Sequence, residues 1–212
     1  MLNNTTILIV RYIQKIIKGV TPMANDKFIT IPENPVSRFL FSSTRAAWIW
    51  LIVRLYVGYA WLKAGWGKVT ADAWTGDNAG GAIQGFINGA LAKAEAGTDV
   101  GSWYAQFLET FVLPNAKVFA FLVAYGELLV GLGLILGLLT GIAAFFGGLM
   151  NVSFLFAGTL STNPILFILA TWLVLAWKNA GWYGLDRWAL PLLGTPWSTG
   201  SVNKKNSSSV DT

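Results

Sequence analysis

Residues 118–158, VFAFLVAYGELLVGLGLILGLLTGIAAFFGGLMNVSFLFAG, decide how the chain is read. Glu127 is the one charged side chain among them. Apolar residues fill this stretch without the regular polar positions that a water-facing helix shows, a pattern that indicates membrane spans. The tight turn Gly137-Leu138-Leu139-Thr140-Gly141 divides it into two spans, 118–139 and 142–158. Gly133, Gly137 and Gly141 recur every fourth residue, a ridge that a neighbouring helix backbone could approach closely.

Working outward, a span at 46–64 opens with Trp48 and Trp50 and closes with Trp61, Lys63 and Trp66. Asn163-Pro164 begins a last span, 164–182, with Lys178 snorkelling to the interface. The expected architecture is an all-α integral membrane protein, a four-transmembrane-helix bundle. The long connection 65–116 carries two apolar patterns at helical spacing. One is Ile83, Phe86, Ile87, Ala90, Leu91 and Ala94; the other is Tyr104, Phe107, Leu108, Phe111 and Val112. They predict short amphipathic helices on the mouth of the bundle, as a ligand-handling element or a simple extracellular cap.

Composition agrees. Only 12% of residues are charged and 54% are hydrophobic, against about 25% charged in soluble domains. The net charge of +5 gathers at the two ends. Six basic residues precede the first span, and Lys178, Arg187, Lys204 and Lys205 follow the apolar part of the fourth. Both termini are therefore expected in the cytoplasm, with the long connection outside; the charge marks topology and not nucleic-acid binding. There is no cysteine and no histidine, so this chain offers no Cys-ligated iron–sulfur cluster, His-ligated haem or His/Cys zinc site.

Residues 1–45 form a basic cytoplasmic segment. Their short apolar run at 7–10 is too brief for a signal peptide. Residues 7–20 read either as a weak amphipathic surface helix or as sequence upstream of a start at Met23. The Ser/Asn/Lys-rich tail from Ser198, within 191–212, is expected to be disordered.

Four polar residues stand out. Arg54, Glu127 and Asn151 fall near the centres of three successive spans, and residues at such centres share a depth. Charge facing lipid costs about 2.5–3.5 kcal/mol. An Arg54/Glu127 ion pair with Asn151 beside it is therefore expected, either fixing helix register or bordering a cavity for a quinone-like ligand. Lys68, among Trp66 and Gly67, is an interfacial anchor or the entrance for a small anion. In the stretch Gly181-Trp182-Tyr183-Gly184-Leu185-Asp186, Asp186 is expected to cap a short interfacial helix.

The ordered motifs Arg54-x3-Gly58-x6-Gly65-x2-Lys68, Trp103-Tyr104 with Phe107-Leu108, Val112-Leu113-Pro114-Asn115, Gly126-Glu127-x3-Gly131-x-Gly133-x-Ile135-x-Gly137-Leu138, Asn151, and Ala180-Gly181 with Gly184-Leu185-Asp186 resemble the DoxX/DoxD family of small membrane proteins. The resemblance covers about residues 45–190 and implies a four-helix membrane protein tied to redox chemistry. The long connection resembles the DoxD branch, which implies a subunit of a thiosulfate:quinone oxidoreductase with a second redox subunit or a homo-oligomer as partner. On that reading Arg54 and Glu127 are the candidate catalytic residues, Lys68 and Asn151 bind substrate, and membrane quinone accepts the electrons. Two other functions fit the residues: a non-enzymatic assembly or anchoring partner of a redox enzyme, and a small-solute transporter.

Overall fold

A computed structural model of the chain describes residues 33–193. The segment 1–32, with its expected surface helix at 7–20, and the tail from 194 lie outside the described residues. The described residues are helical, with no strand among them.

Helix α1, Pro35–Ser42, starts where the Asn34 side chain accepts from the Val36 amide at 2.9 Å, with Pro35 in the first turn. A 3-10 turn, Thr44–Ala46, leads into α2, Ala47–Val69. The connection then holds α3, Asp72–Thr75, and α4, Gly81–Glu95. Helix α5, Ser102–Phe107, continues through a π-helical turn, Leu108–Val112, and a 3-10 turn, Leu113–Asn115, into α6, Ala116–Leu136. Next come α7, Thr140–Phe156, and α8, Asn163–Leu175; α9, Asp186–Leu192, follows a run of turns. The two amphipathic helices expected in the connection are thus present as α4 and α5. The second is not separate from the span after it: the run Ser102–Leu136 is helical throughout and is long and apolar enough to cross a membrane. Helices α7 and α8 are apolar but shorter.

The long helices alternate in direction. We call the end that carries α3 to α5 the cap end, and the end with the 137–139 turn and α9 the turn end. The buried face of α6 reads Ala116, Ala120, Ala124, Glu127, Val130, Gly131 and Leu134, spaced by three and four residues and mostly small. Its large side chains point outward: Leu122 and Leu129 are 59% and 67% exposed. Phe145, Leu149, Ile165 and Trp172 do the same on α7 and α8. A soluble bundle would bury its bulk and expose charge; this one packs small residues inside and presents a continuous apolar exterior, as helices surrounded by lipid do.

Helices α2 and α6 pack most intimately. A Cβ on Gly65 would come within 2.7 Å of Leu128 Cα, and one on Gly131 would collide with the Leu62 backbone. These contacts fix an antiparallel register in which Gly58 meets Ile135, Leu62 meets Gly131 and Gly65 meets Leu128. The expected ridge of Gly133, Gly137 and Gly141 is not one interface. Gly133 faces Ala143, Gly141 faces Trp177, and Gly137 ends α6 in the left-handed conformation, φ 64°. There the Leu138 amide bonds Gly133 O at 2.9 Å and the Gly137 amide bonds Leu134 O at 3.3 Å, the paired bonds of a Schellman motif.

Candidate functional site

The register of α2 against α6 determines which charges can meet. Arg54 and Lys68 sit 14 residues apart on α2, about 21 Å along its axis at 1.5 Å per residue. Glu127 faces the Lys68 end. Lys68 Nζ donates to Glu127 Oε2 at 2.7 Å, in a pair whose side chains are 23% and 1% exposed. The expected Arg54/Glu127 ion pair therefore does not form. The first span was expected to end at residue 64, whereas α2 runs to Val69. That shift moves Arg54 toward the turn end and brings Lys68 within reach of Glu127.

Around this pair lies a cavity of about 310 Å³ at the cap end. Trp61 and Trp74 flank it, with the Lys68 ammonium 5.1 Å from the centre of a Trp74 ring, a favourable cation–π distance. Thr159, Ser161 and Thr162, from the loop before α8, and Asn163, the first residue of that helix, form a second polar wall. Phe86 and Phe154 close the side toward α4. The cavity thus sets a largely buried charged couple beside hydroxyls and a carboxamide, with aromatic side chains in its walls. Such a setting holds a planar, weakly polar molecule by stacking and orients it by a few hydrogen bonds.

Asn151 does not lie with Arg54. Its Nδ2 donates to Asn163 Oδ1 at 2.9 Å, and Asn163 Nδ2 donates in turn to Thr159 O at 3.0 Å. Asn151 is fully buried, and its Oδ1 has no hydrogen-bond partner among the described residues. It supports the second polar wall from behind through Asn163. Among the four residues singled out from the sequence, Lys68 and Glu127 line the cavity, Asn151 braces it, and Arg54 stands apart. Trp74 and Asn163 line the cavity without having been singled out. Asn163 was legible only as the polar residue before Pro164, where it read as the start of a span.

Arg54 is seated at the turn end. Its Nη2 donates to Tyr183 O at 3.0 Å, and its guanidinium packs on the Cα atoms of Gly137 and Gly184, where any Cβ would overlap it. The carboxylate that acts on it is Asp186. Asp186 begins α9, but its side chain does not cap that helix. Its two oxygens accept from the Leu139 and Thr140 amides at 2.5 and 2.9 Å, capping the N-terminus of α7. The expected local cap is therefore a tertiary one, favourable because two amides without helical partners meet a negative charge. Replacing Asp186 with alanine is expected to destabilise the fold by about 2 kcal/mol. Asparagine, which keeps one acceptor, should recover part of the loss; thermal unfolding of purified protein in detergent measures both.

Asn179 is a further buried tie. Its Nδ2 donates to Leu40 O and Ser43 O, each at 2.8 Å, and Trp50 Nε1 donates to Leu40 O at 2.7 Å. These bonds bind the last turn of α1 and the residue after it to the turn end, so packing against the bundle begins before residue 46.

No curated protein and no solved structure shows significant similarity to the chain. The DoxX family model matches residues 49–159, just over half of the 212 residues. That match spans α2 through α7 and takes in Arg54, Lys68, Glu127 and Asn151. One helix among the described residues is long and apolar enough to cross a membrane, and by the family match this chain belongs to the DoxX family of membrane proteins.

Proposed function

We propose that the chain is a four-span membrane subunit of a quinone-linked redox system, with the quinone headgroup bound in the cap-end cavity. The spans are α2, α6, α7 and α8, with both termini cytoplasmic and the cap end outside. The basic residues at the two ends of the chain favour that orientation. The observation that carries the reading is the Lys68/Glu127 pair on the wall of a cavity flanked by Trp61 and Trp74. Lys68 supplies a charge-assisted donor for a quinone carbonyl. Glu127, 2.7 Å from Lys68, is placed to exchange a proton as charge develops on that carbonyl. The aromatic faces match the ring. Arg54, tied at the other end to the Tyr183 carbonyl, is structural in this scheme, and the proton-handling role rests on Glu127.

The resemblance to the DoxD branch makes thiosulfate the reductant. Two thiosulfate anions join through a new S–S bond to give tetrathionate and release two electrons. Quinone takes up those electrons with two protons and becomes quinol. No thiol of the chain is required, and Lys68 at the outer end adds an attractive charge for the anion.

The test is calorimetric titration of the purified protein with a tailless 1,4-benzoquinone, followed by an assay of thiosulfate-dependent quinol formation. Lys68→Met and Glu127→Gln are each expected to weaken quinone binding about tenfold or more, whereas Arg54→Lys leaves it within about twofold in folded protein. Absence of binding and turnover in well-folded wild type, alone or with a co-purifying subunit, would replace this reading with that of an assembly or anchoring partner.

A further inference from the structure

Beside the polar cavity lies a second one, of about 240 Å³, between α4, the π-helical turn, α6 and α7. Its walls are apolar. The polar groups at its edge are Tyr104 and Ser153, and the Tyr104 hydroxyl is already committed to Ser153 O at 2.9 Å. Leu108 and Val112, the first and last residues of the π-helical turn, form one wall. A π turn is an uncommon element that recurs at functional sites.

The two cavities share Ile83, Phe86 and Phe154. Phe86 and Phe154 meet edge to face, with ring centres 5.9 Å apart and planes at 79°. Two aromatic side chains, each rotatable about its own χ angles, thus form the partition between the charged chamber and the apolar one. The apolar chamber in turn shares Leu122, Leu149 and Met150 with a groove of about 650 Å³ between α6 and α7. Leu122 and Leu149 are 59% and 50% exposed on the outward, apolar surface. The three spaces therefore adjoin in series, from Lys68 and Glu127, across the phenylalanine partition, to the lipid-facing side.

We propose that the two cavities form one bipartite site for an amphiphile with a hydrogen-bond-accepting head and a hydrocarbon tail. The head lies at Lys68 and Glu127, and the tail runs past Phe86 and Phe154 through the apolar chamber toward the α6/α7 groove. This rests on the reading of the polar cavity as a ligand site and specifies the ligand as one that enters from the bilayer. A small soluble anion would use the polar chamber alone and leave the apolar one without a role.

The experiment compares a tailless 1,4-benzoquinone with its decyl-substituted homologue, titrated against the full chain in lipid nanodiscs. Wild type is set beside Val112→Phe, which fills the apolar chamber, and Leu122→Trp, which obstructs its outward mouth. The ratio of the two affinities is the readout, because partition of the tail into lipid is the same for every variant. In wild type the decyl homologue is expected to bind more tightly, and each variant should cut its advantage about tenfold. Tailless binding should stay within about twofold, which also shows that a variant is folded. An unchanged ratio in a variant that keeps tailless binding would overturn this proposal alone. Failure of both homologues to bind wild type would overturn it together with the head-site reading.

Discussion

Lys68→Met is expected to cost about 2–3 kcal/mol, the largest stability loss of any single side-chain truncation at the cavity. The carboxylate left behind is 1% exposed and has Lys68 as its one recorded partner among the described residues. Stranding a buried charge costs several kcal/mol in soluble proteins, and partners found within the membrane reduce that figure. Glu127→Leu should be milder, about 1 kcal/mol, because the Lys68 side chain is 23% exposed and keeps the Trp74 ring. The double variant Lys68→Met/Glu127→Leu should lie within about 1 kcal/mol of wild type, since an apolar pair of similar size replaces a buried ion pair at little cost. Thermal unfolding of the four proteins gives the coupling directly. Additive losses would show that the two groups are not paired.

Gly65→Val is expected to have the second large effect, abolishing the folded bundle or costing about 3 kcal/mol or more. The new Cβ would press on backbone, 2.7 Å from Leu128 Cα and 2.8 Å from Glu127 C, so no side-chain rotation relieves it. Helix α2 would have to lift away from α6, separating Lys68 from Glu127 as well. Gly67→Val is the control: it lies on the same helix two residues on, and a Cβ there meets nothing within 4 Å. It should change the thermal midpoint by no more than a helix-propensity effect, about 0.5 kcal/mol. Monodispersity on size exclusion and the thermal midpoint separate the two outcomes.

The long helices are legible in the sequence because their signals are local, but the last one is expected to reach residue 182 and ends at Leu175, where a run of turns takes over. The apolar runs, the Gly137 turn and the two helical patterns in the connection each lie within a few turns of chain. Sequence reasoning also picked out Arg54, Glu127 and Asn151 as polar residues needing partners, on the cost of charge in an apolar setting, and Lys68 as an interfacial anchor or anion entrance. Its error lay in who meets whom. Equating the centres of spans assumes that their ends are known, and α2 extends five residues beyond the expected end, to Val69. The register is set by Gly58, Gly65 and Gly131 contacts between helices, and single-chain periodicity carries no record of such pairings. Asp186 shows the same limit: an acidic residue at the start of a helix reads as that helix's own cap. Here it serves α7, 46 and 47 residues away in sequence.

The tie between Arg54 and the Tyr183 carbonyl spans 129 residues. At elongation rates of about 5–20 residues per second, its second half emerges about 6 to 26 s after its first. Until then Arg54 has neither that carbonyl nor Asp186, and the N-terminus of α7 lacks its cap. The first long helix is therefore made before the groups that hold its turn end exist. Its turn end is held only once the Tyr183–Asp186 stretch has been made, so the contact that fixes one of the earliest helices is supplied by one of the latest turns.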